Sequence, residues 1–312
     1  MRHARLAFAT LACTFAIHGA IAATPAKDPP KYKSAQELLD AAPASAWREL
    51  DPQNTLYLEL ASGRVVIELA PQFAPKHVAN IRTLAHAHYF DGLAIIRSQD
   101  NFVVQWGDPD SGEKNEKSIA PALAKLPAEF TTLSKPLNFH PLPDSDGYSK
   151  QVGFVDGFPV GRDPSDGQAW LAHCYGVLGA GRGTEADSSN GSELYVVDGQ
   201  SPRQLDRNIT TVGRVVQGME LLSVLARGTG PLGFYEKPEQ RVPIKSIRLA
   251  ADVPAAERMA LQVIRTDTPT WDAVVEARRN RRDEWYKRPA GHIDLCNIPI
   301  ATRTVPVAAP AH

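Results

Sequence analysis

The sequence predicts a mainly β fold: an antiparallel barrel of about eight strands with two flanking helices, followed by a helical C-terminal extension. Three observations carry that expectation. Residues 54–250 break into short segments that are apolar or alternate apolar with polar, bounded by Gly, Pro, Asn, Asp and Ser. Only two helices are indicated there, one beginning at Pro75 and one over Met219–Ala226. Strands and helices do not alternate regularly, which argues against a doubly wound parallel sheet and for a closed antiparallel barrel.

Each element follows from its residues. Residues 23–33 (ATPAKDPPKYK) read as a Pro/Lys-rich linker, and Ser34 with Glu37 forms a capping-box pattern that opens a short helix, SAQELLDAA. TLYLELASGRVVIELAP alternates on both sides of Ser62-Gly63, a tight-turn pair, and predicts a hairpin. Pro75 suits a first helical turn, and Val78, Ile81, Leu84 and Ala85 recur at helical spacing until Tyr89-Phe90-Asp91-Gly92 ends the helix. Strands over 93–98 and 102–107 are joined by Gln99-Asp100-Asn101. Residues 109–170 are dense in Pro, Gly, Asp and Ser without a sustained period, and predict loops with an embedded strand or two. Strands over 175–181, 194–198 and 210–217 come next, then the short second helix and a final strand over 242–250. In the extension, Thr268-Pro269 starts a helix whose face carries Trp271, Val274, Val275 and Arg278 and which runs to about Lys287. The chain thus divides into 1–22, 23–53, 54–250 and 251–312.

The first 22 residues stand apart. MRHAR is a basic start, LAFATLACTFAIHGAIA is a small-residue apolar run, and Ala20-Ile21-Ala22 is an A-x-A cleavage site. The expectation is a secretory signal and a periplasmic destination. An uncleaved anchor is the alternative, weakened by a short apolar run that holds His18. Loss of Arg2 and Arg5 takes the formal charge from −1 to −3. No global basic field exists to draw nucleic acid or an anionic membrane, and no later segment approaches the ~20 apolar residues of a span. A hydrophobic content of 43% with 22% charged residues fits a soluble protein with a core. Cys174 and Cys296 remain after cleavage. In an oxidising compartment they are candidates for a disulfide, and two separate buried thiols are the alternative.

Several motifs carry no chemistry on inspection. GVLGAGRG (176–183) looks like a dinucleotide fingerprint, yet TEADSSNGS follows it where a helix is required. His86 and His88 are two apart on a helix and do not share a face. Asp144-Ser-Asp146-Gly147 resembles part of a calcium loop without the closing Glu. There is no G-x-S-x-G and no H-E-x-x-H. The Arg278, Arg279, Arg281, Arg282 cluster reads as a solvated helix end, where the dipole favours cations. No metal and no cofactor is expected.

Two polar residues stand out instead. In AIIRSQDNFVVQWGDP (94–109), Arg97 and Gln105 sit inside short strands built for burial. Strict alternation puts Arg97 on the face of Leu93 and Ile95, and Gln105 on that of Val103. From neighbouring strands they could project into one concave surface; an isolated strand Arg at a solvated edge is the plainer alternative.

The order of pieces is similar to the cyclophilin-type peptidyl-prolyl isomerases. APKHVANIRTLAHAHYFDGLAIIRSQDNFVVQWGDP carries the family's AP-x-x-V-x-N helix, Y-[YF]-D-G turn, Arg-bearing strand and F-x-x-Q-x-G-D. NGSELYVV (190–197) and LDRNITTVGRVVQGMELL (205–222) resemble its later segments, so the likeness covers about 55–250. It implies a cyclophilin-like eight-stranded barrel and prolyl isomerisation. Arg97 falls on the catalytic arginine and Gln105 on the pocket glutamine. Phe102, Val103, Tyr195 and Leu205 fall on the proline pocket, and the Gly179 backbone on a peptide-binding position. Glu193 replaces the family's second glutamine, where pairing with Arg97 would compete with substrate. Gln204 and Ile209 replace a rim tryptophan and a pocket histidine. The implied partners are Xaa-Pro segments of unfolded or exported proteins. The alternative is a catalytically weak module that binds Pro-containing peptides or a protein partner.

Overall fold

Thr55–Leu60 and Gly63–Leu69 form the hairpin that the alternating pattern requires, with Leu60 opposite Gly63. The computed structural model describes residues 32–283 and 285–305; the expected signal over 1–22 and the linker up to residue 31 lie outside the described residues. Nine strands form the main sheet in the order Val242–Pro243, Ala94–Ser98, Phe102–Gly107, Leu194–Asp198, Val177–Ala180, Thr211–Gln217, Gly63–Leu69, Thr55–Leu60 and Ser246–Leu249, and every pairing is antiparallel.

The two end strands of that sheet are consecutive in the chain. Between them, the Ile244 N–H donates to the Leu93 carbonyl (2.8 Å) and the Lys245 N–H to the Glu59 carbonyl (2.9 Å). One bent segment therefore closes the sheet on itself. The single final strand expected over 242–250 is two short strands, because a strand at the closing seam must change neighbours. Leu58, Ile67, Ile95, Trp106, Leu178 and Val196 fill the interior together with Ile81 and Leu84 of helix Pro75–His86.

That helix begins at Pro75, as expected, but has no side-chain cap of its own. Glu129, from the long segment between the strands, supplies one. Its carboxylate accepts from the backbone N–H groups of Lys76 (3.0 Å) and His77 (2.9 Å), satisfying donors that a helix start leaves open. The second helix, Met219–Ser223, is shorter than expected.

Residues 109–170 hold more sheet than the sequence reading allowed. Thr132–Leu133, Gln168–Leu171, Phe158–Asp163, Gln151–Val155 and His140–Pro141 form a five-stranded antiparallel sheet in that order. Its central hairpin turns at Asp156-Gly157, both at positive φ (51° and 83°), the backbone that a two-residue hairpin loop demands. A third sheet pairs Trp47–Glu49 with Leu261–Ile264, which in turn pairs Thr302–Thr304.

The N-terminal segment, the 109–170 segment and the C-terminal extension share one apolar cluster, including Leu39, Trp47, Val152, Phe154, Trp271 and Val274. Phe154 and Trp271 meet edge to face at 5.2 Å. Ser34 and Glu37 form the expected capping box. Helix Pro269–Arg279 buries Trp271, Val274 and Val275 but stops well short of Lys287, because Asn280 leaves the helical region at φ −126°, ψ 65°. The Asp144 carboxylate takes Arg279 Nε (2.7 Å), and Asp146 takes an Arg203 N–H (2.6 Å), so both acids of the calcium-like motif hold arginines.

An ionic and a covalent link are among those that tie this outer layer to the barrel. Glu68, buried on strand Gly63–Leu69, receives Arg48 from the third sheet (2.6 Å) and Arg214 from the adjacent barrel strand (3.1 Å). Cys174, just before strand Val177–Ala180, and Cys296 of the extension form a disulfide across 122 residues. Cys296→Ser is expected to lower stability by about 3 kcal/mol through the longer loop left open in the unfolded chain. Urea melts check this: reductant should shift the wild-type midpoint and leave the variant unmoved. Glu68→Gln leaves buried Arg214 without a counter-charge and is expected to cost about 3 kcal/mol in the same assay.

Candidate functional site

A β-bulge decides where Arg97 points. Ile95 lies opposite Trp106, yet Arg97 lies opposite Gln105, so Ile96 is an extra residue on its strand. Strict alternation would leave the guanidinium beside Ile95, which is fully buried inside the barrel. The bulge moves the side chain to the opposite face, and this corrects the expectation that Arg97 shares the face of Ile95.

On that outer face one row of residues crosses four strands. Arg97 pairs with Gln105, Gln105 with Tyr195, and Tyr195 with Gly179. The alternating residues Val104, Trp106, Val196 and Leu178 face the barrel core. The row thus brings together four of the residues that the resemblance singled out.

The half-buried Arg97 guanidinium is held on three sides. Nε donates to the Leu232 carbonyl (2.7 Å), one terminal nitrogen to Gln105 Oε1 (3.1 Å), and the other to Gln99 Oε1. Its plane lies near the rings of Phe102 (5.4 Å) and Phe234 (5.2 Å). Burial lowers its pKa from the usual arginine value, and three acceptors with two aromatic faces keep the charge in place. A guanidinium has five N–H donors. One on each terminal nitrogen remains for a ligand.

Glu193 does not pair with Arg97. Its Oε2 accepts from Gln105 Nε2 (3.0 Å), so Gln105 stands between the two charges, and this corrects the competing ion pair expected from the sequence. The strand pairing explains the distance. Glu193 precedes Leu194, whose partner Trp106 lies one residue beyond Gln105. Burial pushes the Glu193 carboxyl above its ordinary pKa, against hydrogen bonds from Gln105 and Ser111 that lower it.

Tyr195 spends its hydroxyl inside the protein. Its oxygen lies 2.9 Å from His173 Nε2, and His173 Nδ1 lies 3.0 Å from Asp206 Oδ1. An ionised Asp206 accepts from Nδ1–H, so the neutral imidazole presents Nε2 as acceptor and the tyrosine donates. Burial works against the charged form of Asp206, but the hydrogen bonds of His173 and the charge of Arg203 outweigh it and leave the pKa low. Burial raises that of Tyr195. Arg203 continues the chain from Asp206 (2.6 Å) to Asp146 (2.6 Å) of the 109–170 segment. The ring itself needs Gly179: a Cβ there would lie 2.2 Å from Tyr195 Cζ.

Beside this ring, Val103, Tyr195 and Val197 form an apolar cluster, with Phe102 and Ile209 packed on it. Val103 is its buried floor. Leu205 is half-buried on the turn Arg203–Leu205, and Ile209, flagged as a departure, occupies the cluster edge. Gln204 is exposed. A cleft of about 260 Å³ opens beyond Glu193, lined among others by Asp108, Ser111, Phe234 and Arg241.

Sequence reasoning missed Gln99, Leu232 and Phe234. Leu232 adopts a left-handed backbone (φ 56°), unusual for a branched side chain, in the turn that aims its carbonyl at Arg97. The Gly-rich run GTGPLGF (228–234) signals a turn. Nothing in it signals which side chain the turn serves. His86 and His88 pair separately with Asp252 and Asp91.

Comparison with known proteins agrees with this geometry. The family model "Cyclophilin type peptidyl-prolyl cis-trans isomerase/CLD" matches residues 55–249. A protein of Brucella suis biovar 1 named "Probable peptidyl-prolyl cis-trans isomerase" is 28% identical over 179 residues, which is 57% of this chain and 74% of that protein. A protein of Schizosaccharomyces pombe named "Peptidyl-prolyl cis-trans isomerase ppi1" is 39% identical over 62 residues, 20% of this chain and 40% of its own length. The crystal structure of cyclophilin AquaCyp293 from Hirschia baltica superposes with a TM-score of 0.66 at 24% identity, covering 88% of this chain and 97% of that one, and shares the fold. The match over 55–249 spans the closed sheet, the bulged arginine strand and the row beside it, and the chain belongs to the cyclophilin-type peptidyl-prolyl cis-trans isomerases.

Proposed function

We propose that this isomerase acts on Xaa-Pro bonds of unfolded, exported proteins in the periplasm, with Arg97 as its catalytic residue. The row Arg97–Gln105–Tyr195–Gly179 carries the reading. The leader-like residues 1–22 support the location, and a disulfide suits an oxidising compartment.

Rotation about a peptide bond costs ~18–20 kcal/mol, because resonance stiffens the C–N bond. No bond breaks, so the site needs only to favour the twisted state over both planar ones. In that state the prolyl nitrogen regains a lone pair. A free N–H of Arg97 donates to it, while Gln105 holds the guanidinium in register. Phe102, Val103 and Tyr195 cup the pyrrolidine ring, half-buried Leu205 is assigned to its rim, and Gly179, paired on both sides, serves the cup by leaving room for the Tyr195 ring. A rate gain of about 10⁵ requires roughly 7 kcal/mol of selective stabilisation. A charge-assisted bond in a site short of water, together with fixed orientation, is of that order.

Arg97→Ala is expected to lower kcat/KM for a short Xaa-Pro peptide by about 10² or more, with the fold retained. Cis/trans exchange by NMR reads it directly; an unchanged rate would remove Arg97 from the role. Tyr195→Phe keeps the ring and loses one buried hydrogen bond of about 1 kcal/mol. It is expected to keep activity within about threefold, whereas Tyr195→Ala removes the wall of the cup and lowers kcat/KM by more than about tenfold.

A further inference from the structure

The structure assigns Glu193 as a positioning residue: its ionised carboxylate fixes the side-chain amide of Gln105 in the one orientation that serves Arg97. The inference rests on the reading of Arg97 and Gln105 as the working pair.

The amide of Gln105 has an accepting end and a donating end of nearly the same shape. Arg97 has only donors, so it requires the oxygen, and that contact is present at 3.1 Å. The NH2 end then faces Glu193 at 3.0 Å and requires an acceptor. An ionised carboxylate only accepts. Both neighbours therefore demand the same orientation. A protonated carboxyl both accepts and donates, so it suits either orientation of the amide and no longer excludes the reversed one. The reversed NH2 would meet the N–H groups of Arg97, donor against donor, and the guanidinium would lose its anchor.

Glu193 is seated for this task. Two glycines border it, Gly107 at the end of strand Phe102–Gly107 and Gly181 just past strand Val177–Ala180: a Cβ at Gly107 would lie 2.7 Å from Glu193 Cγ, and one at Gly181 would lie 3.3 Å from its Cβ. The groups facing it are mostly acidic or neutral. Asp108 and Glu116 repel its charge, Ser111 donates to it, and Tyr89 lies within electrostatic reach. Arg241 lines the same cleft, and Arg97 reaches the carboxylate only through Gln105. Burial and these like charges raise its pKa above the ordinary glutamate value. Glu193 is charged above that raised pKa and neutral below it. Isomerase activity is therefore full at higher pH and falls as pH drops through that value.

The test measures kcat/KM from pH 8 to pH 4 by NMR exchange of an Xaa-Pro peptide without ionisable side chains. Wild type, Glu193→Gln and Arg97→Ala are compared. The wild type is expected to lose about three- to tenfold along a single-proton curve. Glu193→Gln does not titrate and, like the protonated acid, both accepts and donates, so its profile is expected to be flat, about three- to tenfold below wild type at pH 8. The side-chain NH2 resonances of Gln105 should move with the wild-type midpoint and stay still in Glu193→Gln, a response that a merely structural role would not give. An unchanged pH curve in Glu193→Gln, or Gln105 resonances that ignore the titration, overturns the inference. Activity retained in Arg97→Ala overturns the working pair instead, and the two failures are separable in one data set.

Discussion

One extra residue on one strand organises the site. Without the bulge at Ile96, Arg97 would follow Ile95 into a dry barrel, where an unpaired guanidinium is prohibitively costly. With it, the charge lies on the outer face and finds the Gln105 amide directly opposite. The bulged strand is also where the chain past residue 226 returns: the Tyr235 N–H donates to the Ile96 carbonyl (2.9 Å), and Phe234 bridges to Arg97. The Leu232 carbonyl that receives Nε depends on that return. Arrangement of the guanidinium is thus set by backbone phase first and by side-chain partners second.

The rest of the row is braced from behind. Tyr195 leans on His173, His173 on Asp206, and Asp206 on Arg203 and Asp146. Every side chain in that chain is nearly or fully buried, so each hydrogen bond matters more than it would in water, and each loss leaves a polar group stranded. Asp146 belongs to the segment that separates the barrel strands, and Trp170 of the second sheet also donates to Asp206 (3.2 Å). The outer layer therefore reaches the pocket wall through polar contacts, while Glu68 and the Cys174–Cys296 bond hold the same layer to the barrel elsewhere.

Much of this was legible in the residues. The Ser62-Gly63 hairpin, the Pro75 helix start and the Ser34–Glu37 box are local, and local chemistry decided them. The Asp156-Gly157 turn is equally local, a two-residue hairpin signal between VGFV and FPV, but the turn formers around it mask it. Other features were not available locally. The bulge at Ile96 shows only in the register of the partner strand, since AIIRS alternates acceptably either way. The split of the last strand reflects closure of the whole sheet. The Leu232 carbonyl is a backbone group supplied from 135 residues away, and side-chain identity says little about it.

The departures from the family pattern take on meaning in this light. Gln204 is exposed and Ile209 packs at the cluster edge, so neither enters the Arg97–Gln105 row. Among these departures Glu193 is the one hydrogen-bonded to the Arg97–Gln105 pair, through the donating end of Gln105. Replacing a neutral amide by a carboxylate there adds no partner for the guanidinium. It adds a proton-dependent constraint one hydrogen bond away, in a slot cut by two glycines and bordered by two more acids. Changes at the rim leave the charge of Arg97 where the bulge put it. A change behind Gln105 alters how firmly that charge is aimed, and aim is what a reaction without bond cleavage depends on.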